Sequence, residues 1–383
     1  MKRSLHRALA AAFAALVAAE ALAVRHVGIE ADALNRVYPA SFRKSFVFSP
    51  VSFELDCVLI AESLDTIPKA NVASMMGVVI DFPSAYRPVV EALGAETNGL
   101  ACTSARGFCV PDIRAADANF RTLVQREYGA EVMRLHPKAG AEAWFKATMD
   151  GEMEEFEIPV AVSVSDRFSF YDLLSVRAAW EEPFPPSNTK VRPFRVDGAS
   201  NTVDVAFMSD VRVADTLEMN GYTILSLPLK GGSAFFAMLP KDGYALSDIK
   251  MFFNSVEIDG VLSMLTPGSP VPVVRGPCAI DIPRIELFSR TSLSGALRYF
   301  HVPTTGLRGA AGDAPGGEFV QYAKFSIVEC GRGERLPADG IRKAPIPASA
   351  EVRRMALDRP FLFFVYHPAT ATILVAGQFT GVM

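Results

Sequence analysis

The feature that most limits what this chain can fold into is a change of hydrophobic period near residue 165. Before it, apolar residues recur at helical spacing. Val27, Ala31, Leu34 and Tyr38 share a face over 26–38, and Ala141, Trp144, Phe145 and Thr148 share one over 138–149. Residues 83–95 and 113–128 read the same way. Phe46–Phe48 is a short strand signal, and Ser49-Pro50 then opens a helix to about residue 63. Serine serves there as N-cap and proline occupies the first turn, where its missing N–H costs nothing. After residue 165 the period moves towards two. Strands are predicted at Phe168–Val176, Thr202–Met208, Tyr222–Leu227, Ala234–Leu239, Ala279–Leu287, Phe319–Glu329, Phe361–Tyr366 and Ile373–Phe379, with short helices at 246–264 and 291–299. Helices first and sheet afterwards, without alternating βαβ units, define an α+β protein. The turn-rich spacers Pro183–Asn188 and Gly306–Gly317 have strands on both sides, so residues 24–383 read as one domain.

Residues 1–23 stand apart. Lys2, Arg3 and Arg7 precede the apolar run Ala8–Ala19, and Ala21-Leu22-Ala23 places small residues where a signal peptidase cuts. This predicts a secretory signal peptide and an extracellular protein. Without it the chain holds 35 basic and 41 acidic residues, a net charge of -6. Neither a Lys/Arg block nor zinc-finger spacing occurs, so nothing points to nucleic acid. No later run of 18 apolar residues could span a membrane. The five cysteines are an odd number, which leaves at least one unpaired in a monomer. Cys102 and Cys109 could close a small loop in an oxidising compartment.

Four stretches carry a family resemblance. They are Phe48-Ser49-Pro50-Val51-Ser52; Trp180-Glu181-Glu182-Pro183-Phe184 with Thr189, Pro193-Phe194 and Val196-Asp197-Gly198, ending at Met208; Leu227-Pro228, Leu239-Pro240-Lys241-Asp242-Gly243 and Ile282-Pro283-Arg284; and Asp358-Arg359-Pro360-Phe361-Leu362-Phe363-Phe364 with His367, Thr372-Ile373-Leu374 and Gly377. In this order over more than 300 residues, they resemble the serpins. The resemblance implies three β-sheets, eight to nine helices, and an exposed loop near the C-terminus, here about 332–356. Phe361–Val365 is continuously apolar, as suits a strand covered on both faces. Pro360 stands where that strand begins. Trp180 is expected near the top of the main sheet.

The resemblance also implies a mechanism, in which the cleaved loop inserts into the main sheet and traps a protease. The match holds to Glu329 and to the hinge glycine, Gly331, and then fails. Where the family has a small residue this chain has Arg332, and its alanine run is replaced by Gly333-Glu334-Arg335-Leu336-Pro337-Ala338-Asp339. Inserted residues alternate between the two faces of a sheet, so either assignment drives an ionisable group inward. Pro337 would also remove a ladder hydrogen bond. Counts from the two ends disagree on the bait bond, placing it within Pro345-Ile346-Pro347-Ala348-Ser349. Arg353-Arg354 suits a trypsin-like protease but lies near the anchoring end. Glu54, Asp172, Val176-Arg177-Ala178 and Glu142 also depart from the family pattern at sites that support sheet opening.

Catalysis lacks the parts. Beyond the signal segment only His26, His136, His301 and His367 remain, none in metal-ligand spacing, and no Gly-x-Ser-x-Gly elbow occurs. No cofactor is implied, and His367 reads as a structural histidine at a strand end. Residues 332–356 carry a net charge of +3 on an acidic protein. The expectation is a secreted, monomeric, non-enzymatic serpin-like protein that binds an extracellular protein, a protease or a receptor. An acidic polysaccharide has weaker support. The alternative is a protease inhibitor that uses 332–356 as bait.

Overall fold

The computed structural model describes residues 28–38, 43–78, 81–94, 96–97, 100–134, 138–149, 151, 167–197, 201–250, 261–262, 273–331, 346–347 and 349–382. The signal segment therefore lies outside the described residues. Helix α1 covers 28–37. Strand β1, Phe46–Phe48, leads straight into α2, Pro50–Glu62, as the sequence predicts. Ser49 caps α2 by accepting from the Ser52 N–H, and its own hydroxyl donates to the Leu374 carbonyl at 2.7 Å. Every residue of α2 is buried, including Glu54, Asp56 and Glu62, so its amphipathic pattern is faint and the helix runs through the interior.

Helices α3, Thr66–Met76, and α4, Phe82–Gly94, follow, then β2, Glu96–Thr97, and β3, Leu100–Val110. Neither α3 nor β3 was read from the sequence. The predicted helix at 113–128 divides into a single 3-10 turn, Ile113–Ala115, and α5, Ala118–Tyr128, whose N-cap is Asp117. Strand β4, Ala130–Arg134, and α6, Lys138–Thr148, precede the sheet-rich half. The Cys102–Cys109 bridge is overturned. Both thiols lie on one extended strand, seven residues or roughly 23 Å apart, and all five cysteines are free and buried.

The strands that follow are β5, Phe168–Ala178; β6, Lys190–Asp197; β7, Asn201–Glu218; β8, Tyr222–Pro228; β9, Ala234–Pro240; β10, Val274–Pro283; β11, Ile285–Ser292; β12, Gly316–Ile327; β13, Arg353–Ala356; β14, Phe361–His367; and β15, Thr372–Phe379. Short helices occupy Leu246–Lys250, Ser294–Tyr299 and Arg308–Ala311. The single strand expected at 279–287 is two, because Pro283 and Arg284 pass the chain from one sheet to another. The expected spacer at 306–317 contains a helical turn and the start of β12.

A six-stranded sheet runs β11-β12-β5-β3, with β2 and β4 both on β3. The remaining strands form one nine-stranded network, β1-β15-β14-β9-β8-β7-β10-β13, with β6 on β7. Its two parts are joined because the 18-residue β7 pairs with β6 and β10 along most of its length and with β8 at its end. Three expected sheets thus appear as one sheet and two that share a strand.

The core lies between the six-stranded sheet and β14. Phe361–Val365 are fully buried, as their composition predicts. Phe363 stacks on Phe235 of β9 and, 5.4 Å away, on Phe325 of β12, linking the two sheets. Gly377 is obligatory at its position: a Cβ there would stand 2.0 Å from the Phe46 carbonyl oxygen, so only glycine lets β1 pair with β15. A smaller cluster, with Phe145 of α6 on Tyr171 and beside Leu173, Val320 and Tyr322, covers the other face of the six-stranded sheet.

Candidate functional site: the loop hinge and the seam beside it

Strand β12 ends at Ile327, and the next residues turn away from the sheet. Glu329 is buried and its carboxylate accepts from Arg284 Nε at 2.8 and 3.0 Å and from the Thr189 hydroxyl at 2.5 Å. Its carbonyl accepts from the Phe184 N–H at 3.0 Å. Burial pushes the Glu329 carboxyl up, but the hydrogen bonds from Arg284 and Thr189 outweigh it and hold it below the usual range. Three separated parts of the sequence therefore meet at one residue just before the hinge. Gly331 follows at φ 84°, a left-handed conformation that glycine adopts without strain. Arg332, Gly333, Glu334, Arg335, Pro337, Pro345 and Ala348 lie outside the described residues. Ile346 is half-buried, while Pro347 and Ser349 are exposed on a turn closed by the Ala350 N–H to the Pro347 carbonyl at 3.0 Å.

Trp180 is fully buried beneath this corner. Its ring stands 5.4 Å from both Phe184 and Phe235, and among the described residues its indole N–H has no hydrogen-bond partner. Arg212, only 4% exposed, stacks 3.7 Å above the Phe184 ring, donates to the Pro183 carbonyl and pairs with Asp210 at 2.9 Å. Phe194 packs against Phe207 and Phe379, and the Pro240 carbonyl accepts from Arg359 Nε at 3.0 Å. Pro228 and Pro283 end β8 and β10, and Pro360 immediately precedes β14. His367, which burial shifts downward, exchanges a hydrogen bond with Thr370 at 2.8 Å, a structural role at the strand end.

The loop's far end differs from expectation. Residues 353–356 are strand β13, paired in parallel with β10 from Cys278 to Asp281. Arg353 bonds to Thr216 and to the Val274 carbonyl, and Arg354 approaches Asp281 at 3.6 Å. A protease could use the Arg353-Arg354 pair only after peeling β13 from the sheet. Beside it lies an open groove of about 630 Å³, lined in part by Lys190, Arg192, Ser209 and Asp281.

The insertion that the serpin resemblance implies would place a strand beside β12, at its seam with β5. Strands β12 and β5 are parallel neighbours, paired from Phe319–Phe170 to Ile327–Ala178. A strand slotted between them would replace one parallel pair by two antiparallel ones, the more stable arrangement. One face of this seam points at α2: Asp172, Leu174 and Val176 on β5, and Gln321, Ala323 and Phe325 on β12, are all buried. On the other face Tyr171, Leu173, Ser175 and Tyr322 are also buried, while Arg177 and Lys324 are partly exposed. Both faces of an inserted segment would therefore meet mostly buried surface, and the face towards α2 is buried throughout.

Sequence reasoning singled out Ser49, Ser52, Glu54, Asp172 and, within a family stretch, Arg284, but missed Glu30, Asp56, Arg106 and Gln321, which complete the polar contacts beneath the seam. The available signal was a lone charge within an otherwise small or apolar stretch, as at Arg106 in Leu100–Val110. Among the described residues no group of three or more His, Cys, Asp or Glu could hold a metal ion, and no helix is long and apolar enough to cross a membrane.

The β12–hinge–β13 arrangement over a central parallel seam defines a class of protein, and sequence comparison identifies the same class. The family model described as serpin (serine protease inhibitor) matches residues 31–381, and the chain belongs to that family. It is 24% identical over 245 residues to ovalbumin of Dromaius novaehollandiae, covering 62% of this chain and 61% of that protein. It is 22% identical over 364 residues to the probable non-inhibitory serpin-Z5 of Arabidopsis thaliana, covering 87% and 78%. The structure of native protease nexin-1 with heparin superposes with a TM-score of 0.79 at 19% identity, covering 94% of this chain and 99% of that one.

Proposed function

We propose that this protein is a secreted serpin that binds an extracellular protein partner and does not trap proteases by loop insertion. The observation that carries this reading is the hinge sequence set against the seam. Whichever alternate set faces α2, either Arg332 and Glu334 or Arg335 and Asp339 enter a buried face. An ionised group placed there without a partner costs several kcal/mol. Pro337 adds about 3 kcal/mol, by analogy with helix interiors. Trapping is a race between insertion and deacylation, and about 1.4 kcal/mol on the insertion barrier slows it tenfold. The likeness to a relative named as a probable non-inhibitory serpin supports the same reading. The net +3 of 332–356 suits a partner with acidic groups. An acidic polysaccharide is the weaker candidate, supported by the neighbour crystallised with heparin.

Incubation with trypsin-, elastase-, subtilisin- and caspase-class enzymes, read on denaturing gels, tests the proposal. The expected products are a cut loop and a released, active protease. A boiling-resistant band at the summed mass, absent when the protease nucleophile is mutated, would overturn it. Changing Arg332 to Thr and Glu334, Arg335 and Pro337 to Ala then shows whether the hinge alone prevents trapping.

A further inference from the structure

On the face covered by α2, the six-stranded sheet carries a row of polar side chains in register across three strands. Arg106 on β3 is paired with Asp172 on β5, and Asp172 with Gln321 on β12. Asp172 and Gln321 are completely buried and Arg106 is 3% exposed. Gln321 Nε2 donates to Asp172 Oδ2 at 2.9 Å, bridging the seam, and also to the Ser49 carbonyl at 3.0 Å. Ser52 donates to Asp172 Oδ1 at 2.8 Å, and Arg106 Nε lies 3.2 Å from the same oxygen. Asp56, one turn along α2 from Ser52, brings a second carboxyl. It stands 3.5 Å from Arg106 Nε, and among the described residues no donor makes a hydrogen bond to either of its oxygens.

One guanidinium thus faces two carboxyls in a buried site. If both were ionised, one buried negative charge would have nothing to balance it. The neutral composition is a guanidinium, one carboxylate and one carboxylic acid, with a proton held by the pair. Among the described residues the surroundings offer no further cation. Glu54 and Cys57 come from α2 itself, Glu30 from α1 and Tyr86 from α4, all buried and none basic. Strand β15 contributes only backbone groups, the Leu374 carbonyl to Ser49 and the Ile373 N–H to Glu30. At the far end of α2, Glu62 is engaged separately by Lys69 of α3 and Tyr128 of α5. Burial, then the neighbouring Asp172, push the Asp56 carboxyl well above its usual range. Burial leaves the Asp172 carboxyl raised as well, but Asp172 holds the donors, Ser52, Gln321 and Arg106, while Asp56 accepts from none among the described residues, so this geometry places the proton on Asp56 and the charge on Asp172.

We infer that Asp56, Arg106, Asp172 and Gln321 form a proton-dependent latch across the β5–β12 seam. With the proton in place, α2 and strands β3, β5 and β12 are tied into one neutral buried row. Loss of the proton leaves two carboxylates competing for Arg106, and parting of β5 from β12 is the motion that lets water reach the uncompensated charge. The sign follows from linkage. A carboxyl whose folded pKa is raised contributes its full stability below the unfolded value, about 4. That contribution is lost as pH rises through the folded value. The seam therefore loosens towards alkaline pH. The latch acts on the seam itself, independently of the hinge sequence, and holds whether or not the loop enters.

Hydrogen exchange tests the latch on the unmodified protein and on Asp56→Asn, whose amide reproduces the shape of the protonated carboxyl without a titratable proton. Exchange is corrected for the intrinsic pH dependence of amides. Peptides covering 172–176 and 321–325 should lose at least about tenfold in protection between pH 6 and pH 9, while β8 and β9 keep theirs. Asp56→Asn should be the better protected at pH 9 and show no such fall. Arg106→Met, which removes the cation from the row, should lose protection at both pH values. Protection in β5 and β12 that does not change with pH, or an equal fall in Asp56→Asn, would overturn the latch. So would failure of Asp56→Asn to fold, because the amide replaces a group argued to be neutral already. None of these outcomes depends on protease trapping, so failure of the latch and failure of the proposed function are separately visible.

Discussion

Glu329→Gln isolates what the cluster before the hinge contributes. The side chain is 7% exposed and keeps its charge because Arg284 and Thr189 donate to it, while Arg284 is 46% exposed. That asymmetry sets the magnitude. An ion pair with one partner half in water is worth little through its charge alone, and a released Arg284 is readily hydrated. What glutamine loses is the charge-assisted part of the hydrogen bonds to a buried acceptor. Such bonds contribute about 1.5–3 kcal/mol each; glutamine's carbonyl keeps one of them and Arg284 recovers water, so the net cost is about 1–2 kcal/mol at pH 7. The folded carboxyl is shifted downward, so its stabilisation is present above the unfolded value, about 4.3. It is lost as pH falls through the lower folded value. Equilibrium urea unfolding of both proteins at pH 7, 5 and 3 should show a gap that is full at pH 7 and narrower at pH 3. Equal stabilities at pH 7, or a gap that widens as pH falls, would refute the assignment of a charged, hydrogen-bonded Glu329. The direction is opposite to that of Asp56, two carboxyls in one fold with contrary pH responses.

Cutting the loop within 332–352 should leave the thermal midpoint nearly unchanged, because the charged hinge keeps the freed strand out of the seam; a rise of tens of degrees would mean that insertion succeeds. Protein recovered from the culture medium should begin at or near Val24 and present five thiols to an aromatic disulfide reagent only after unfolding, since all five are buried and free. Burial also pushes the Cys102 thiol up to about 12, which keeps it unreactive at neutral pH. An intact Met1, or fewer than five thiols in denaturant, would count against this reading.

Local chemistry was enough to read much of this protein from its sequence. The Ser49-Pro50 helix start and the apolar run Phe361–Val365 of β14 are fixed by capping and hydration over a few residues, and both stand where the residues place them. The serpin signatures at Trp180, Pro228, Pro240 and Phe361 likewise sit at strand ends and in the core beside the hinge. Strand β3 was missed because Leu-Ala-Cys-Thr-Ser-Ala-Arg-Gly is made of small residues with no clear period, and it is a strand because β5 and β4 pair with it on both edges. The break of 279–287 into β10 and β11 is invisible locally, since only the layout of two sheets makes Arg284 a crossing point. The same holds for the charges. Glu54 and Asp172 read as departures from a family pattern, Asp56 carries no sequence signal at all, and nothing near them in the chain supplies a partner. Arg106 and Gln321 come from strands 50 and 265 residues away from Asp56, brought into one row by sheet register. Sequence determines which groups are titratable and which segments are apolar. Only the tertiary structure decides which of those groups lose water together, because desolvation and charge pairing depend on distance through space and not along the chain.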